Sequence, residues 1–320
     1  MSEIKNRSEI LFLYDVKDNN PNGDPLDGNK PRIDEETNIN IVTDVRLKRT
    51  IRDYLMNYKS KEIFVREIAD DEGKIQDAKM RANDFLKNID VTDKSFNDQK
   101  KIIQDKILGE CIDVKLFGAT IPLDLKIANK NVKGSITLTG PVQFRMGRSL
   151  HKVELKYIKG TGAFASKAGA TQKTFREEYI LPYSLIAFYG IINENAAQHT
   201  NLTSEDIKLL LEGMWNGTKN LISRSKAGHE PRLLLKINYK VNNYHIGDLD
   251  KLIKIETEKR DEEIRDIDEI NLNADKLINK LISEKGTIEN IEYKIDSRLN
   301  TNLIEELNKE LELKEINWSE

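Results

Sequence analysis

Four cations crowd into two turns of one predicted helix: Arg46, Lys48, Arg49 and Arg52, within "TDVRLKRTIRDYL". Lys48 and Arg52 stand four apart on one helix face, where like charges repel mildly unless a polyanion neutralises them. Thr43 is placed to cap the helix. Its N-terminus therefore adds a partial positive charge and free N–H groups to the same region. A phosphate backbone would satisfy this cluster; for a basic helix taken alone, a solvated face with ordinary ion pairs is the commoner explanation, and both readings stay open here.

Just upstream lies the loop "NPNGDPLDGNKPRID", which carries Arg32. Asn22 and Gly23 favour positive φ, and Pro25 and Pro31 restrict the backbone, so local turn chemistry explains the composition. Asp24 and Asp34 offer a second reading, in which loop carboxylates hold a metal ion or act as a general base, as a metal-dependent endoribonuclease requires. A third cluster is "FRMGRSLHKVELKYIKGTGAFASKAGATQKTFREE". Here Arg145, Arg148, Lys152, Lys156, Lys159, Lys167, Lys173 and Arg176 alternate with Met146, Tyr157 and Phe164. Gly160, Gly162 and Gly169 permit close backbone approach. Basic side chains track phosphates and an exposed aromatic or Met wedges between bases, which suits single-stranded nucleic acid. Gly160, Gly162 and Ala165 also match a dinucleotide fingerprint, but mid-chain and without the strand–turn–helix context that the chemistry needs.

Other chemistry is thinly represented. The lone cysteine, Cys111, follows an amphipathic helix beside Ile112 and reads as a core residue. His151, His199, His229 and His245 are scattered without ligand spacing, so neither a metal nor a cofactor is expected. No apolar run reaches the roughly 18 residues of a membrane span, and "MSEIKNRSEI" lacks the apolar stretch of a signal peptide. A cytoplasmic location is the expectation.

The elements that must position these residues are legible in outline. The chain has 320 residues, 38% hydrophobic and 33% charged, with a mean hydropathy of -0.58. That is enough to bury a core beneath an unusually polar exterior. The net charge of -3 is unevenly spread: residues 241–320 hold 12 Lys+Arg against 21 Asp+Glu, while residues 131–182 hold 9 against 3. A polyanionic ligand is thus compatible with an acidic total. The apolar run 9–16 predicts a buried strand. A helix follows from Thr43, with Val45, Leu47, Ile51, Tyr54 and Leu55 apolar. Strands are predicted over 133–144 and 178–192, the latter with Pro182 at an edge or bulge. A helix capped by Thr203 and Asp206 carries Ile207, Leu210, Leu211, Met214, Leu221 and Ile222 on its apolar side. "RLLLKINYKV" closes the series as an alternating strand. The order strand, helix, strand, strand, helix, strand is that of an α+β, ferredoxin-like fold of the RNA-recognition-motif (RRM-like) kind. Residues 59–118 read as a helical insertion, and 246–320 as an acidic, mainly helical region.

The ordered set "NPNGDPLDGNKPRID", "TDVRLKRTIRDYL", "DVKLFGA" and "GPVQF" closely resembles the backbone subunit of type I CRISPR Cascade complexes, in the type I-B branch of the Cas-seven family of the RAMP superfamily. The resemblance spans about 9–240. It implies an RRM-like palm (1–58 and 119–245), a helical finger insertion (59–118) and a β-hairpin thumb (about 145–178). It further implies a non-enzymatic protein that oligomerises along a CRISPR guide RNA and presents it for pairing with target DNA. Implied partners are neighbouring copies of itself and other Cascade subunits of the Cas-five, Cas-six and Cas-eight types. The implied RNA contacts are Arg32, Arg46, Lys48, Arg49 and Arg52, with Arg145, Arg148, Lys152, Lys159, Gly160, Gly162, Lys167 and Lys173 in the thumb region. Met146 and Phe164 are the implied base wedges. Relatives in type III complexes cleave RNA with a loop aspartate, which keeps Asp24 and Asp34 as the alternative.

Overall fold

Strand β1 (Ser8–Asn19) is buried on both faces, which is why its sequence reads as one apolar run rather than an alternation. The computed structural model describes residues 3–69, 73–87, 89–91, 93–127, 130–165 and 173–318, with backbone alone for 161–165 and 173–176. After β1 the loop folds into short strands β2 (Gly23–Asp24), β3 (Lys30–Pro31) and β4 (Ile33–Asp34), and β5 (Ile39–Val42) leads into α1 (Asp44–Lys59). Helices α2 (Ala78–Asp84), α3 (Phe96–Glu110) and α4 (Ile112–Phe117) precede the hairpin β6 (Gly118–Ile127) and β7 (Lys130–Thr139). Then come β8 (Val142–Phe144), β9 (Gly147–Lys152), β10 (Lys156–Ala165) and β11 (Lys173–Ile192), followed by α5 (Glu194–Thr200), α6 (Ser204–Lys219) and β12 (His229–Tyr239). The C-terminal part holds β13 (Lys254–Glu256), β14 (Asn271–Asn273), α7 (Asp275–Ser283), β15 (Ile288–Ile295), α8 (Leu303–Asn308) and β16 (Leu313–Glu315).

The main sheet runs β16-β15-β12-β1-β11-β9-β5-β4, with β8 and β10 also paired to β11. Its centre, β12-β1-β11-β8, is antiparallel throughout. Pro182 sits where β11 changes partner from β9 to β10, and opposite Asp18, whose φ of 50° interrupts the ladder to β1. A proline lacks the N–H a ladder needs, so it belongs at such a break.

One sheet face carries Ile10, Phe12, Tyr14 and Val16 of β1 and packs against α1 and α6. Thr43 caps α1 as its sequence predicts, accepting from the Arg46 N–H, and Thr203 with Asp206 forms a reciprocal capping box on α6. The two helices touch closely: a Cβ on Gly217 would lie 3.0 Å from Tyr54 Cβ and 3.2 Å from the Thr50 carbonyl. Two apolar assignments are corrected. Val45 is 65% exposed and Ile222, beyond the end of α6, is 80% exposed.

The opposite face carries Leu11 and Leu13 and is covered by the C-terminal part, through residues such as Leu249, Ile267, Leu277 and Leu281. This region was expected to be mainly helical; instead helices alternate with strands, and β15 extends the sheet along β12, with β16 parallel beyond it. "LIEELNKELELKE" is accordingly helical only over α8. Apolar residues on β15 face the shared core (Ile288, Ile291), which the acidic composition of the segment concealed.

The helical insertion exceeds its expected end at residue 118. Ile121, Leu123, Leu125 and Ile136 of the β6–β7 hairpin join Phe64, Phe85, Ile103 and Ile107 in a separate core, with Cys111 buried among them. Gly118 and Gly140 form the neck of this lobe. Gly118 has φ 69°, and a Cβ there would meet the Gly140 nitrogen at 2.3 Å, so "DVKLFGA" and "GPVQF" join at their glycines.

Two carboxylates on β1 fasten the cover. Glu9 accepts hydrogen bonds from the hydroxyls of Tyr189 and Tyr239 and from the N–H groups of Ile246 and Gly247, the latter two at 2.8 Å. Asp15 accepts from Tyr183 at 2.9 Å and pairs with Arg232 at 3.0 Å, which also pairs with Asp296. Glu9→Ala removes the acceptor of two buried tyrosine hydroxyls and of two partly buried N–H groups, of which the Ile246 N–H also reaches the Tyr239 hydroxyl at 3.4 Å, and is expected to cost about 3 kcal/mol. Urea unfolding measures the loss, and amide exchange should quicken first at Ile246 and Gly247.

Candidate nucleic-acid interface

Asn22 ties the loop to the basic helix. Its Oδ1 accepts from both the N–H and the hydroxyl of Thr43, each at 2.9 Å, while Thr43 Oγ1 accepts from the Arg46 N–H. Asn40, wholly buried, donates to the Arg32 carbonyl at 2.8 Å and accepts from Ser184. The loop is therefore a fixed platform beside α1. The pairing of β5 with β9 puts Ile41 opposite Arg148 and Val42 opposite Gly147. Two clusters about 100 residues apart in sequence thus meet at the entrance to α1. Gly147 permits this, since a Cβ there would lie 2.3 Å from the Phe188 ring.

The predicted cations stand in different circumstances. Arg49 is exposed and held by Asp53 at 2.7 and 2.9 Å, and Lys48 pairs with Asp44 at 2.9 Å. Arg32 pairs with Asp24 at 2.7 Å, and Arg148 with Asp34 at 3.4 Å. Arg145 stacks on Tyr189 and pairs with Asp248. Arg52 is bound more deeply: its Nε meets the wholly buried Asp113 at 2.9 Å, and Asp113 also accepts from the N–H groups of Phe64 and Val65. Phe117 lies beneath both Lys48 and Arg52, its ring centre 5.7 and 5.2 Å from their cationic groups. Asp113 and Phe117 thus anchor two helix cations and join the insertion to α1, a role that sequence reading missed because "DVKLFGA" offers only one acid in an apolar run.

The residues expected in the thumb region divide as well. Arg145, Met146, Arg148 and Lys152 lie on or beside β9, between β11 and β5 in the main sheet, not on the β10–β11 hairpin, which begins at Lys156. Met146 is 54% exposed there and Lys152 points to solvent. Lys159 and Gly160 lie on β10, opposite Glu177 and Arg176 of β11. Gly162, Phe164 and Lys173 are described by backbone alone, and Lys167 lies outside the described residues.

The two loop aspartates are engaged in turns. Asp24 accepts from the Leu26 N–H at 3.0 Å as well as from Arg32. Asp34 accepts from the N–H groups of Glu36 and Thr37 at 3.2 and 3.3 Å; partial desolvation raises its pKa, but these donors and Arg148 outweigh it and hold the carboxyl below its ordinary value. Among the described residues, no group of three His, Cys, Asp or Glu side chains is arranged to hold a metal ion. Nor is any helix among them long and apolar enough to cross a membrane. Burial pushes the Cys111 thiol up to about 12, with Asp113 adding to the effect, so it is protonated at neutral pH.

A sequence model of the CRISPR-associated protein Cas7 family matches residues 6–275. The chain belongs to the Cas7 family. It is similar to a CRISPR-associated protein Cas7 of Haloferax volcanii, at 31% identity over 315 residues, covering 94% of this chain and 90% of the relative. The fold is shared with a chain of a solved CRISPR RNA-guided surveillance complex in a pre-nicking state, with TM-score 0.57 at 11% identity, covering 97% of this chain and 96% of that one. A second such complex gives TM-score 0.51 at 12% identity, covering 96% and 94%.

Sequence reading also passed over His229 and Lys226, which gather beside Arg46 although some 180 residues separate them in sequence. Burial pushes His229 down to about 3, with Lys226 and then Arg46 adding to it; burial and Arg46 push Lys226 down to about 8. In the unfolded chain His229 binds a proton near its ordinary 6.5. The stability it contributes is complete above that value and is lost as pH falls towards 3. Denaturation between pH 7 and pH 4 should show this loss, and His229→Asn should flatten the profile. A second test concerns Asp113→Asn, which leaves Arg52 buried without a counter-charge and is expected to cost roughly 3–5 kcal/mol in urea unfolding.

Proposed function

We propose that the chain is an RNA-binding backbone subunit of a CRISPR type I Cascade surveillance complex, of the I-B branch. In this reading copies of it assemble along a guide RNA and present the bases for pairing with target DNA. The observation that carries the proposal is that the loop with Arg32 and strand β9 with Arg148 flank the entrance to α1, whose first turns carry Lys48 and Arg49, in a chain of the Cas7 family. Their counter-ions are Asp24, Asp44, Asp53 and Asp34, all at least partly solvent-accessible, so phosphates can replace them. We assign Arg52 chiefly to holding the insertion against α1, since its charge is already committed to a buried partner.

The central strand order β12-β1-β11-β8, with α1 and α6 on one face, supports reading this part as an RRM-like palm, with β10 and the start of β11 as the thumb hairpin. RRM domains stack bases on their open sheet face. Here that face is covered by the C-terminal part, which favours gripping the RNA backbone over reading bases on the sheet. Met146 and Phe164 are the proposed base wedges, and Arg145, Lys152, Lys159, Gly160, Gly162, Lys167 and Lys173 the further contacts. Cas-five, Cas-six and Cas-eight type proteins are the proposed partners besides neighbouring copies, and the cytoplasm the proposed location. The engagement of Asp24 and Asp34 in turns and ion pairs supports a non-catalytic role for both.

Neutralising Z phosphates on a single strand gives a log–log salt slope of about -0.7Z. Lys48→Ala with Arg49→Ala should therefore reduce the slope of RNA binding by roughly 1.4 if each contacts one phosphate. An unchanged slope removes both from the interface. Labelled single-stranded RNA incubated with the protein and Mg²⁺ should migrate as a retarded, intact species. Cleavage that Asp34→Ala abolishes would establish the ribonuclease reading instead.

A further inference from the structure

The root of the β10–β11 hairpin carries an aromatic pair that the RNA contacts proposed above do not use. Tyr157 and Tyr179 stand opposite each other across the two strands, their ring centres 5.2 Å apart. A cross-strand pair of this kind stabilises a hairpin. Tyr157 nevertheless remains 47% exposed. Its ring is held at two points even so. Tyr179 meets it on one side, and its hydroxyl donates to the Glu177 carboxylate, which pushes the Tyr157 pKa up to about 12. A ring fixed in this way loses little freedom when a ligand covers it.

The pair is also fixed relative to the loop. The Lys30 ammonium lies over the Tyr179 ring, 5.4 Å from its centre. Lys30 stands opposite Asp24 across β2 and β3, and Asp24 holds Arg32 at 2.7 Å. The rings therefore flank the loop that carries Arg32. Charges around them are balanced: Lys30 pairs with Asp27 at 2.7 Å, Lys156 with Glu154 at 2.9 Å and Arg224 with Glu178 at 3.2 Å. Such a place has little field with which to hold a phosphate. What it offers is an open π-face, on which a base of any sequence can stack.

We infer that Tyr157, backed by Tyr179, is a stacking platform for one unpaired base of a single-stranded RNA. The inference rests on the RNA-binding reading above and adds to it a contact at the root of the hairpin, apart from Met146 and Phe164. In this arrangement Arg32 and its neighbours take phosphates while the Tyr157 ring takes a base face. Stacking releases no counter-ions, so this contact, unlike theirs, is nearly independent of salt.

The test compares binding of the full chain to oligouridylate and to an abasic ribose-phosphate strand of equal length, each over a range of salt. The wild-type chain should prefer the strand with bases. Tyr157→Leu should weaken oligouridylate binding roughly tenfold with an unchanged log–log slope and leave the abasic strand unaffected, whereas Tyr157→Phe keeps the ring and should keep the preference. Equal losses on both strands would show that Tyr157 only supports the hairpin and would overturn the inference, as would unchanged binding of oligouridylate. Failure of the wild-type chain to bind either strand would instead reject the RNA-binding reading, and the platform with it. If the leucine variant does not fold, the unaltered chain decides. RNA carrying 5-iodouridine, irradiated in the complex, should cross-link to the peptide that contains Tyr157, and cross-links confined to other peptides would overturn the inference.

Discussion

Glu9 and Asp15 are the constraint on which the rest of the molecule depends. Both sit on the central strand, on the same face, at the two ends of the stretch that exposes Leu11 and Leu13 to the second core. Burying a carboxylate is unfavourable unless donors surround it. Burial raises the Asp15 pKa, and the Arg232 charge and the Tyr183 hydroxyl oppose that rise. The donors that satisfy these two acids come from β11, β12 and the segment after β12, so one strand dictates where three later parts of the chain must lie. A hydrophobic face alone would accept many covers; two acids with fixed donor geometry select one.

That selection bears on function. The C-terminal part, with its surplus of acidic residues, covers one face of the main sheet, and it also contributes Asp248 to Arg145, Asp261 to the Lys152 N–H and Asp266 to Lys17. Its acidic residues thus border Arg145, Lys152 and Lys17 while its apolar residues complete the core. At the corner where the loop, α1 and β9 converge, the surface proposed for RNA, Arg32, Lys48, Arg49 and Arg148 each already have a carboxylate partner. In the proposed reading, RNA bound at this corner would exchange one set of counter-ions for another, which is why salt dependence and not affinity alone measures it.

The helical insertion is coupled to this corner through α4. Asp113 holds Arg52 and the backbone of Phe64 and Val65, and Phe117 supports Lys48, so the lobe cannot shift without disturbing the cations of α1. The close contact of Gly118 and Gly140 fixes the hinge between the lobe and the sheet. These are packing reasons for the motifs "DVKLFGA" and "GPVQF", which lie away from the solvent face of α1.

Local signals were enough to read much of this from the sequence. The caps at Thr43 and Thr203, the continuous burial of β1, the break at Pro182 and the basic character of α1 all follow from neighbours within a few residues, where spacing and propensity act directly. Strand β1, helices α1 and α6 and strand β12 were legible for the same reason, whereas the strand expected over 133–144 divides between β7 in the insertion lobe and β8 in the main sheet. Tertiary structure alone decided what lies far apart in sequence. It paired Arg52 with Asp113, set His229 and Lys226 against Arg46, added the β6–β7 hairpin to the insertion and made β15 a strand of the main sheet. Charge composition marked the C-terminal part as a separate helical region, because the sparse apolar residues of β15 gain meaning only when β12 offers them a ladder and a shared core. Whether a given cation is free for a phosphate is likewise a property of its partners in space, and the sequence by itself shows only that the cation is there.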